Sequence, residues 1–308
     1  MKSLAFHSTR RDDLRKDPMT SDIHAKVMNK IQDDLKTCMW TIPEDFMQYS
    51  HYLRVVRKLT WQSSPGYPYI RNYPNNQCMF GMKDGTLDST KVNKVWLQVV
   101  HRLEHETFDP IRLFIKPEPI TKQKYDDRRF RLISSVSVVD QIIDHMLLDE
   151  LNEKLIENCH RTPIKTGWTP YLGGWRTVPT QNLTSTDKSS FDWTVVEWMI
   201  QNELEVRMNL CTNMNDLWKK LAFWRYNKLF KNPTYITTGG WILRQLFPGV
   251  MKSGCVNTIA SNSIIQLLIH YRVAFELGID PPWLWAMGDD VIQDQFLQAY
   301  FDLLYQFC

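Results

Sequence analysis

The segment from Trp283 to Ile292 constrains the fold of this chain most strongly. Residues 283–287 are predicted to form a hydrophobic strand, Gly288-Asp289-Asp290 a tight turn, and Val291-Ile292 the returning strand. Glycine permits the positive φ that such a turn requires. Because a hairpin pairs its strands antiparallel, the fold must contain an antiparallel sheet with two adjacent carboxylates at one turn. Like charges so close together indicate a cation site, although an ordinary solvated turn is the alternative for this segment alone.

The other predicted elements mix helices and strands without regular alternation, which indicates an α+β fold. In chain order they are a helix from Val138, a strand Leu183–Thr186, a helical stretch from near Ser190 through Val195 to Met199, a hairpin Thr234–Leu246 turning at Gly239-Gly240, a helix Val256–Leu277 ended by Gly278, and a last helix N-capped by Asp294.

The composition is that of a globular protein. With 308 residues, 43% of them hydrophobic and 23% charged, the chain is long enough for two domains of ~150 residues. No stretch approaches the ~18 uncharged apolar residues of a membrane span, and the N-terminus has no signal-peptide core. The six cysteines lie at least forty residues apart, which excludes a CxxC motif. We therefore expect a soluble, intracellular, reduced protein.

Charge is distributed unevenly along the chain. The segment from Arg112 to Arg131 holds seven basic and three acidic residues, a net charge of +4. From Asp280 to Cys308 there are five aspartates and no basic residue, a net charge of −5. The first segment suits polyphosphate or nucleic acid and the second suits cations. Two ordinary solvated surfaces would give the same charges.

A second carboxylate pair lies at Asp187 and Asp192, within TDKSSFDW. Asp187 ends a predicted strand, and Asp192 follows after a turn. Strand-end carboxylates from two segments can hold two Mg²⁺ ions ~3.5–4 Å apart, the arrangement that serves in-line phosphoryl displacement. The alternative for Asp192 is an acidic residue that interacts with a helix N-terminus.

A polar run, KSGCVNTIASNS, opens the otherwise apolar helix that precedes the hairpin. Thr258 and Asn262 are four residues apart and therefore share one helix face, with Ser253 just upstream. The purely structural alternative is that this run only caps the start of the helix. Its density of polar groups favours a bound partner.

Together these segments resemble motifs A, B and C of the viral RNA-dependent RNA polymerases, with D-x4-D, SG-x3-T-x3-N and GDD in the family's order. The sequences DKSSFDW, PGVMKSG and AMGDD are most similar to those of the sobemovirus and sobemo-like branch.

Two upstream segments extend the resemblance. FIKPE and RRFRLI, within the basic segment, resemble motif F, which implies that Lys116, Lys124 and Arg131 bind the triphosphate of the incoming nucleotide. Glu118 would brace this loop. SSPGYP resembles motif G, which implies that Ser64, Gly66 and Pro68 lie where the template enters.

The resemblance implies a right-hand polymerase with fingers and palm, the palm being an antiparallel sheet with packed helices. The implied division is 1–182 for the N-terminal region and fingers, 183–205 for the first palm part, 206–246 for an insertion, and 247–308 for the second palm part. In the family, motifs D and E and a thumb follow motif C, whereas this sequence ends eighteen residues after Asp290. We therefore expect a C-terminally incomplete chain without a thumb, whose activity alone is in question.

The implied reaction is the template-directed attack of an RNA 3′-hydroxyl on the α-phosphate of an NTP, for genome replication and transcription. By the same resemblance Asp187 and Asp289 bridge two Mg²⁺ ions, for which Mn²⁺ could substitute. Asp290 and the backbone carbonyl of Lys188 complete the metal site. The residues implied in recognition of the ribose 2′-hydroxyl are Asp192, Ser253, Thr258 and Asn262.

The implied partners are an RNA template, a primer or nascent strand, NTPs, other viral replication proteins and a protein primer. The implied location is the host-cell cytoplasm, in replication complexes that meet membranes only through partners. A reverse transcriptase is disfavoured because that family usually has an aromatic residue where this chain has Asp192. A truncated, non-catalytic RNA-binding remnant is the other alternative.

Overall fold

The computed structural model describes residues 2–180 and 182–308. The helices are α1 (Lys2–Ser8), α2 (Ser21–Asp34), α3 (Tyr49–Lys58), α4 (Asn76–Phe80), α5 (Ser89–His105), α6 (Lys122–Asp126), α7 (Val138–Glu157), α8 (Phe191–Thr194), α9 (Glu197–Asn209), α10 (Asp216–Tyr226), α11 (Thr258–Glu276) and α12 (Gln298–Tyr305). The strands are β1 (Ile111–Ile115), β2 (Leu132–Ser135), β3 (Leu183–Thr186), β4 (Thr234–Thr237), β5 (Ile242–Arg244), β6 (Leu284–Met287) and β7 (Asp290–Asp294). No helix in the described ranges is long and apolar enough to cross a membrane.

A four-stranded sheet is built from two distant parts of the chain. Its order is β2-β1-β4-β5, with β1 antiparallel to β2 and parallel to β4. The basic segment connects β1 to β2 and includes the short helix α6. The parallel β1–β4 pair was not predicted from the sequence.

A three-stranded antiparallel sheet carries the carboxylates. Its order is β3-β7-β6, so that β7 is the central strand. Thr186 pairs with Val291 and Met287 pairs with Asp290. In this register Asp187 follows β3 directly beside Asp290, and the two aspartate segments meet at one end of the sheet.

Two helices form the centre of the core. Every residue of α11 from 260 to 274 is buried, and α7 is buried along most of its length. Helices that are buried on nearly all sides occupy a core position. Ser137 caps α7, its hydroxyl accepting a hydrogen bond from the Asp140 amide (3.3 Å).

The predicted α+β class is confirmed, and several elements match their predicted positions. Strand β3 spans the four predicted residues, and α7 begins at Val138 as expected. Helix α11 starts two residues later than predicted and is followed by Gly278 with φ +69°. The antiparallel carboxylate hairpin is present, but its turn holds only Gly288 and Asp289, since Asp290 already pairs with Met287.

Two other local predictions were wrong. The hairpin at 234–246 does not turn on two glycines. Because the Thr237 amide donates to the Trp241 carbonyl (2.9 Å), three residues form the loop. The N-cap of α12 is Leu297, not Asp294. Asp294 ends β7, where its carboxylate accepts a hydrogen bond from the Trp283 amide (3.1 Å).

The predicted continuous helix from Ser190 to Met199 is broken into α8 and α9. Val195 and Val196 have extended backbone (ψ 122° and 172°) between them. The Val195 carbonyl accepts hydrogen bonds from the Val250 amide (2.8 Å) and from the Arg11 guanidinium (2.5 Å). These tertiary bonds replace the helical ones at a β-branched pair, which has low helix propensity.

Candidate functional site

Three carboxylates lie at the exposed end of the three-stranded sheet. Asp187, Asp289 and Asp290 are all exposed, at the end of β3 and at the β6–β7 turn. Partial burial, followed by the negative charges of Asp289 and Asp187, raises the pKa of Asp290. Like charges that raise each other's pKa are stabilised when a cation neutralises them.

The donor chemistry at this end of the sheet fits a hard divalent cation, because carboxylate oxygens are the ligands that Mg²⁺ prefers. Within residues 2–180 and 182–308, however, no group of three or more His, Cys, Asp or Glu side chains converges into a metal-binding cluster. In the same ranges the three carboxylates make no ion pair with a basic side chain. The site thus has the right donors and an unbalanced negative charge, without preformed coordination.

Helix α11 holds the carboxylate turn in place. The Ser263 hydroxyl accepts a hydrogen bond from the Gly288 amide (2.8 Å) and donates to the Ile259 carbonyl (2.7 Å). The Gln266 amide group donates to the Asp289 carbonyl (3.3 Å). Sequence reasoning did not select Ser263 or Gln266. Ser263 ends the polar run that opens α11, and Gln266 is a single polar residue between the apolar pairs Ile264-Ile265 and Leu267-Leu268.

Asp192 and Asn262 form the hydrogen bond that links α8 to α11. The Asn262 side-chain amide donates to the Asp192 carboxylate at 2.9 Å. Burial raises the pKa of Asp192, and the hydrogen bond from Asn262 partly opposes this shift. The carbonyl oxygen of the Asn262 side chain is buried and has no partner in the described part of the chain.

The other two residues predicted to read the sugar have separate partners. Ser253 is exposed, and its hydroxyl accepts a hydrogen bond from the Ser134 amide of β2 (3.1 Å). The Thr258 hydroxyl donates to the Lys252 carbonyl (2.7 Å) and so fixes the loop before α11. Asp192 and Asn262 are therefore joined directly, whereas Ser253 and Thr258 are held by backbone groups.

The basic segment is organised around one acid. The Glu118 carboxylate pairs with Lys116 Nζ (2.9 Å) and with the Arg131 guanidinium (3.4 Å). The hydrogen bond from Lys116, with the charges of Arg131 and Lys124, lowers the pKa of Glu118. Lys124 is exposed in α6 and makes no ion pair among the described residues.

One cavity of about 840 Å³ brings the two charge types together. Eight of the residues selected from the sequence line it: Glu118, Lys124, Arg131, Asp187, Lys188, Asp192, Ser253 and Asp289. Four others do not line the cavity: Lys116, Asp290, Thr258 and Asn262. Lys116 pairs with Glu118, and Asn262 bonds Asp192. Asp290 follows Asp289 in the chain, and Thr258 bonds the carbonyl of Lys252, which precedes Ser253. The Lys188 side chain is buried, with Nζ 3.4 Å from His270 Nε2.

The segment proposed for the template lies away from this cavity. Ser64 is exposed, and its hydroxyl accepts a hydrogen bond from the Gly66 amide (3.3 Å). Gly66 has φ +71°, and a Cβ there would lie 2.7 Å from the Val136 carbonyl. Only glycine therefore fits where this loop meets the start of α7. Pro68, which follows a cis peptide bond, does not line the cavity either.

Comparison with known proteins gives a match over most of the chain. A family profile described as "Viral RNA-dependent RNA polymerase" matches residues 27–294. This range includes β3, α11 and the β6–β7 hairpin.

Curated relatives come from plant viruses. "Protein P1-P2" of Potato leafroll virus is 35% identical over 206 residues, which is 60% of this chain and 19% of the relative. "Replicase polyprotein P2AB" of Cocksfoot mottle virus is 38% identical over 194 residues, 60% of this chain and 20% of the relative. "Protein P1-P2" of Pea enation mosaic virus-1 is 29% identical over 289 residues, 83% of this chain and 24% of the relative. The chain thus spans about a fifth of the length of the first two relatives.

Proposed function

Because this chain belongs to the viral RNA-dependent RNA polymerase family, in its sobemo-like branch, we propose that it catalyses template-directed RNA synthesis from NTPs. The observation that carries the proposal is a cavity that is lined both by strand-end carboxylates and by residues of the basic segment. A nucleoside triphosphate needs both of these charge types. The cations bind its phosphates, and the carboxylates recruit metal to its reacting phosphorus.

Polymerases of this family use divalent metal ions, and we propose Mg²⁺ here, with Mn²⁺ as a possible substitute. Asp187, Asp289 and Asp290 are the ligands, and the Lys188 carbonyl completes the set. When bound, the ions would neutralise charge on the α-phosphate and activate the attacking 3′-hydroxyl. The donor type and the unbalanced charge of the three carboxylates support this assignment.

The basic segment supplies fixed positive charge to the triphosphate. Lys124 and Arg131 line the cavity, and Glu118 orients Arg131 and Lys116 through two ion pairs. A loose phosphoryl-transfer transition state spreads negative charge over its oxygens, so preorganised cations stabilise it without moving.

The Asp192–Asn262 pair is the proposed reader of the ribose. The half-buried Asp192 carboxylate has one oxygen engaged by Asn262, which leaves the other able to accept a hydrogen bond from a 2′-hydroxyl. The 2′-hydroxyl is the group that distinguishes RNA precursors from DNA precursors. Ser253 and Thr258 act here by holding the loop that carries the network.

The remaining assignments are proposals at the level of the whole polymerase. The division into fingers (1–182 with the insertion 206–246) and palm (183–205 and 247–308) is supported by the two separate sheets. Ser64, Gly66 and Pro68 would guide the template. The proposed partners are an RNA template with its primer or nascent strand, a protein primer and other viral proteins, in cytoplasmic replication complexes.

The test is nucleotide incorporation by the chain on a primed RNA template with Mg²⁺. We expect extension that follows the template sequence, and its loss to a few per cent or less in Asp289→Asn, because the charge of this exposed carboxylate serves the reaction and not the packing. The matched control is Asp302→Asn, an exposed carboxylate on α12 whose side-chain partner among the described residues is Gln298. Activity retained by D289N would refute the metal assignment. RNA binding with no incorporation would identify a non-catalytic RNA-binding chain instead.

A further inference from the structure

The N-terminal segment, residues 2–11, forms one wall of the cavity although it precedes the matched range 27–294. The Ser3 hydroxyl donates to the Arg128 carbonyl and accepts from the Phe130 amide (3.1 Å). His7 Nε2 donates to the Phe130 carbonyl (2.9 Å), and its ring stacks on Trp193 at 5.1 Å. Helix α1 is thus fastened to the basic segment and to α8 at once.

Arg11 fastens the end of this segment to the α8–α9 junction and to the loop that follows β5. Its buried guanidinium donates to the carbonyls of Val195 (2.5 Å) and Pro248 (2.9 Å). It also lies over the Phe247 ring at 4.5 Å. Hydrogen bonds to fixed carbonyls and a stacking contact restrict the backbone at Arg11 and therefore at its neighbour Arg10.

Arg10 is the cation that these attachments present to the cavity. It is exposed and lines the cavity together with Lys124 and Arg131. Its guanidinium lies 4.8 Å from the Phe6 ring centroid, and it takes part in no ion pair within the described ranges. An unpaired arginine, held in a cavity beside two further cations, favours a polyanionic ligand.

We propose that Arg10 is a further triphosphate-binding residue and that residues 2–11 hold it in the nucleotide site. This inference rests on the proposed function, since it takes the cavity to be the NTP site. The guanidinium matches phosphate oxygens with two parallel N–H groups, which a lysine does not. The ligand class is a nucleoside triphosphate, recognised at its phosphates and not at its base.

The experiment measures equilibrium binding of a fluorescent GTP analogue to the full chain, with GTP, GMP and guanosine as competitors. In Arg10→Gln we expect GTP affinity to fall about 5- to 20-fold. This loss lies between the contribution of an exposed ion pair to binding and that of a charge-assisted hydrogen bond. GMP affinity should change much less. Arg10→Lys should recover part of the loss. The matched control is Lys16→Gln, an exposed cation just beyond the segment whose partner, within residues 2–180 and 182–308, is the Asp12 carbonyl.

Each outcome separates the two proposals. Unchanged GTP affinity in R10Q, with normal binding by the wild type, overturns the role of Arg10 and leaves the polymerase intact. A wild-type chain that binds no GTP overturns the proposed function itself. The same titrations with single-stranded RNA distinguish the source of the phosphate. If RNA affinity falls as much as GTP affinity, Arg10 contacts the RNA backbone and the triphosphate assignment is wrong.

Discussion

At the scale of single residues, the proposed sugar specificity depends on the contact between Asp192 and Asn262. The carboxylate is half-buried and its amide partner is buried, so each depends on the other for its hydrogen bond (2.9 Å). A site built to bond a hydroxyl rejects a ligand that lacks it, because its own polar groups are then left unpaired. Discrimination between NTP and dNTP should therefore depend on this pair.

Asn262→Ala is expected to lower the preference for GTP over dGTP, chiefly by slowing the use of GTP. Loss of a buried hydrogen bond costs ~1–3 kcal/mol, which corresponds to a roughly 5- to 150-fold change in the ratio. The measurement is incorporation of GTP against dGTP on one RNA template. Asn232→Ala is the control, because this exposed asparagine has Asn227 as its side-chain partner in the described part of the chain. An unchanged ratio in N262A would remove this pair from sugar selection.

At the scale of elements, the loop before α11 is docked on β2 through backbone contacts. The Gly254 amide donates to the Ser134 carbonyl (3.1 Å), and the Ser134 amide donates to the Ser253 hydroxyl (3.1 Å). A Cβ on Gly254 would lie 2.6 Å from that carbonyl. The four-stranded sheet therefore sets the position of the loop that leads into α11.

Gly254→Ala should push this loop away from β2. Because backbone cannot yield as a side chain can, we expect a loss of about 1–3 kcal/mol in the free energy of unfolding. Nucleotide incorporation should fall as well. Urea denaturation and primer extension measure the two effects. Gly239→Ala is the control, since the nearest atom to its Cβ would be in the Trp241 side chain, at an ordinary contact distance of 3.5 Å. Equal stability of the two variants would mean that the loop is not held by this contact.

The elements also show which features the sequence could reveal. Strand β3, α7, α11 and the carboxylate hairpin follow local periodicity and turn chemistry, and they lie where expected. The aspartates and Ser253 in the cavity were selected from their local chemistry, whereas Glu118, Lys124 and Arg131 were selected through the resemblance. The parallel pairing of Ile111 with Tyr235 and the docking of α1 were not predicted, because neither leaves a signal in neighbouring residues. The break at Val195 was missed for the same reason, since its hydrogen-bond partners lie far away in the chain.

At the scale of the whole molecule, buried charges join helices that lie far apart in the sequence. The Arg225 guanidinium of α10 binds Asp144 of α7 through two hydrogen bonds (2.6 and 2.9 Å) and approaches Asp140 at 3.3 Å. All three side chains are at most 1% exposed. Such a pair adds little net stability, but the removal of one partner leaves an uncompensated buried charge.

Asp144→Asn should therefore lower the free energy of unfolding by about 3–5 kcal/mol. Glu157→Gln is the control on the same helix. It breaks an exposed pair with Lys154 (2.8 Å) and should cost less than about 1 kcal/mol. Urea denaturation of both variants gives the comparison. If D144N cost no more than E157Q, the network would not hold α7 against α10.

The interleaving of the two sheets affects how the molecule is made. Strand β1 leaves the ribosome with β2 as its antiparallel neighbour, but its parallel neighbour β4 is synthesised only after β3 of the other sheet. Until residue 237 has emerged, one edge of β1 has unpaired amides and carbonyls. Such an edge can pair with other chains. Neither sheet can be completed by a continuous stretch of chain, so the nascent chain remains exposed to misassembly until the later strands of each sheet are translated.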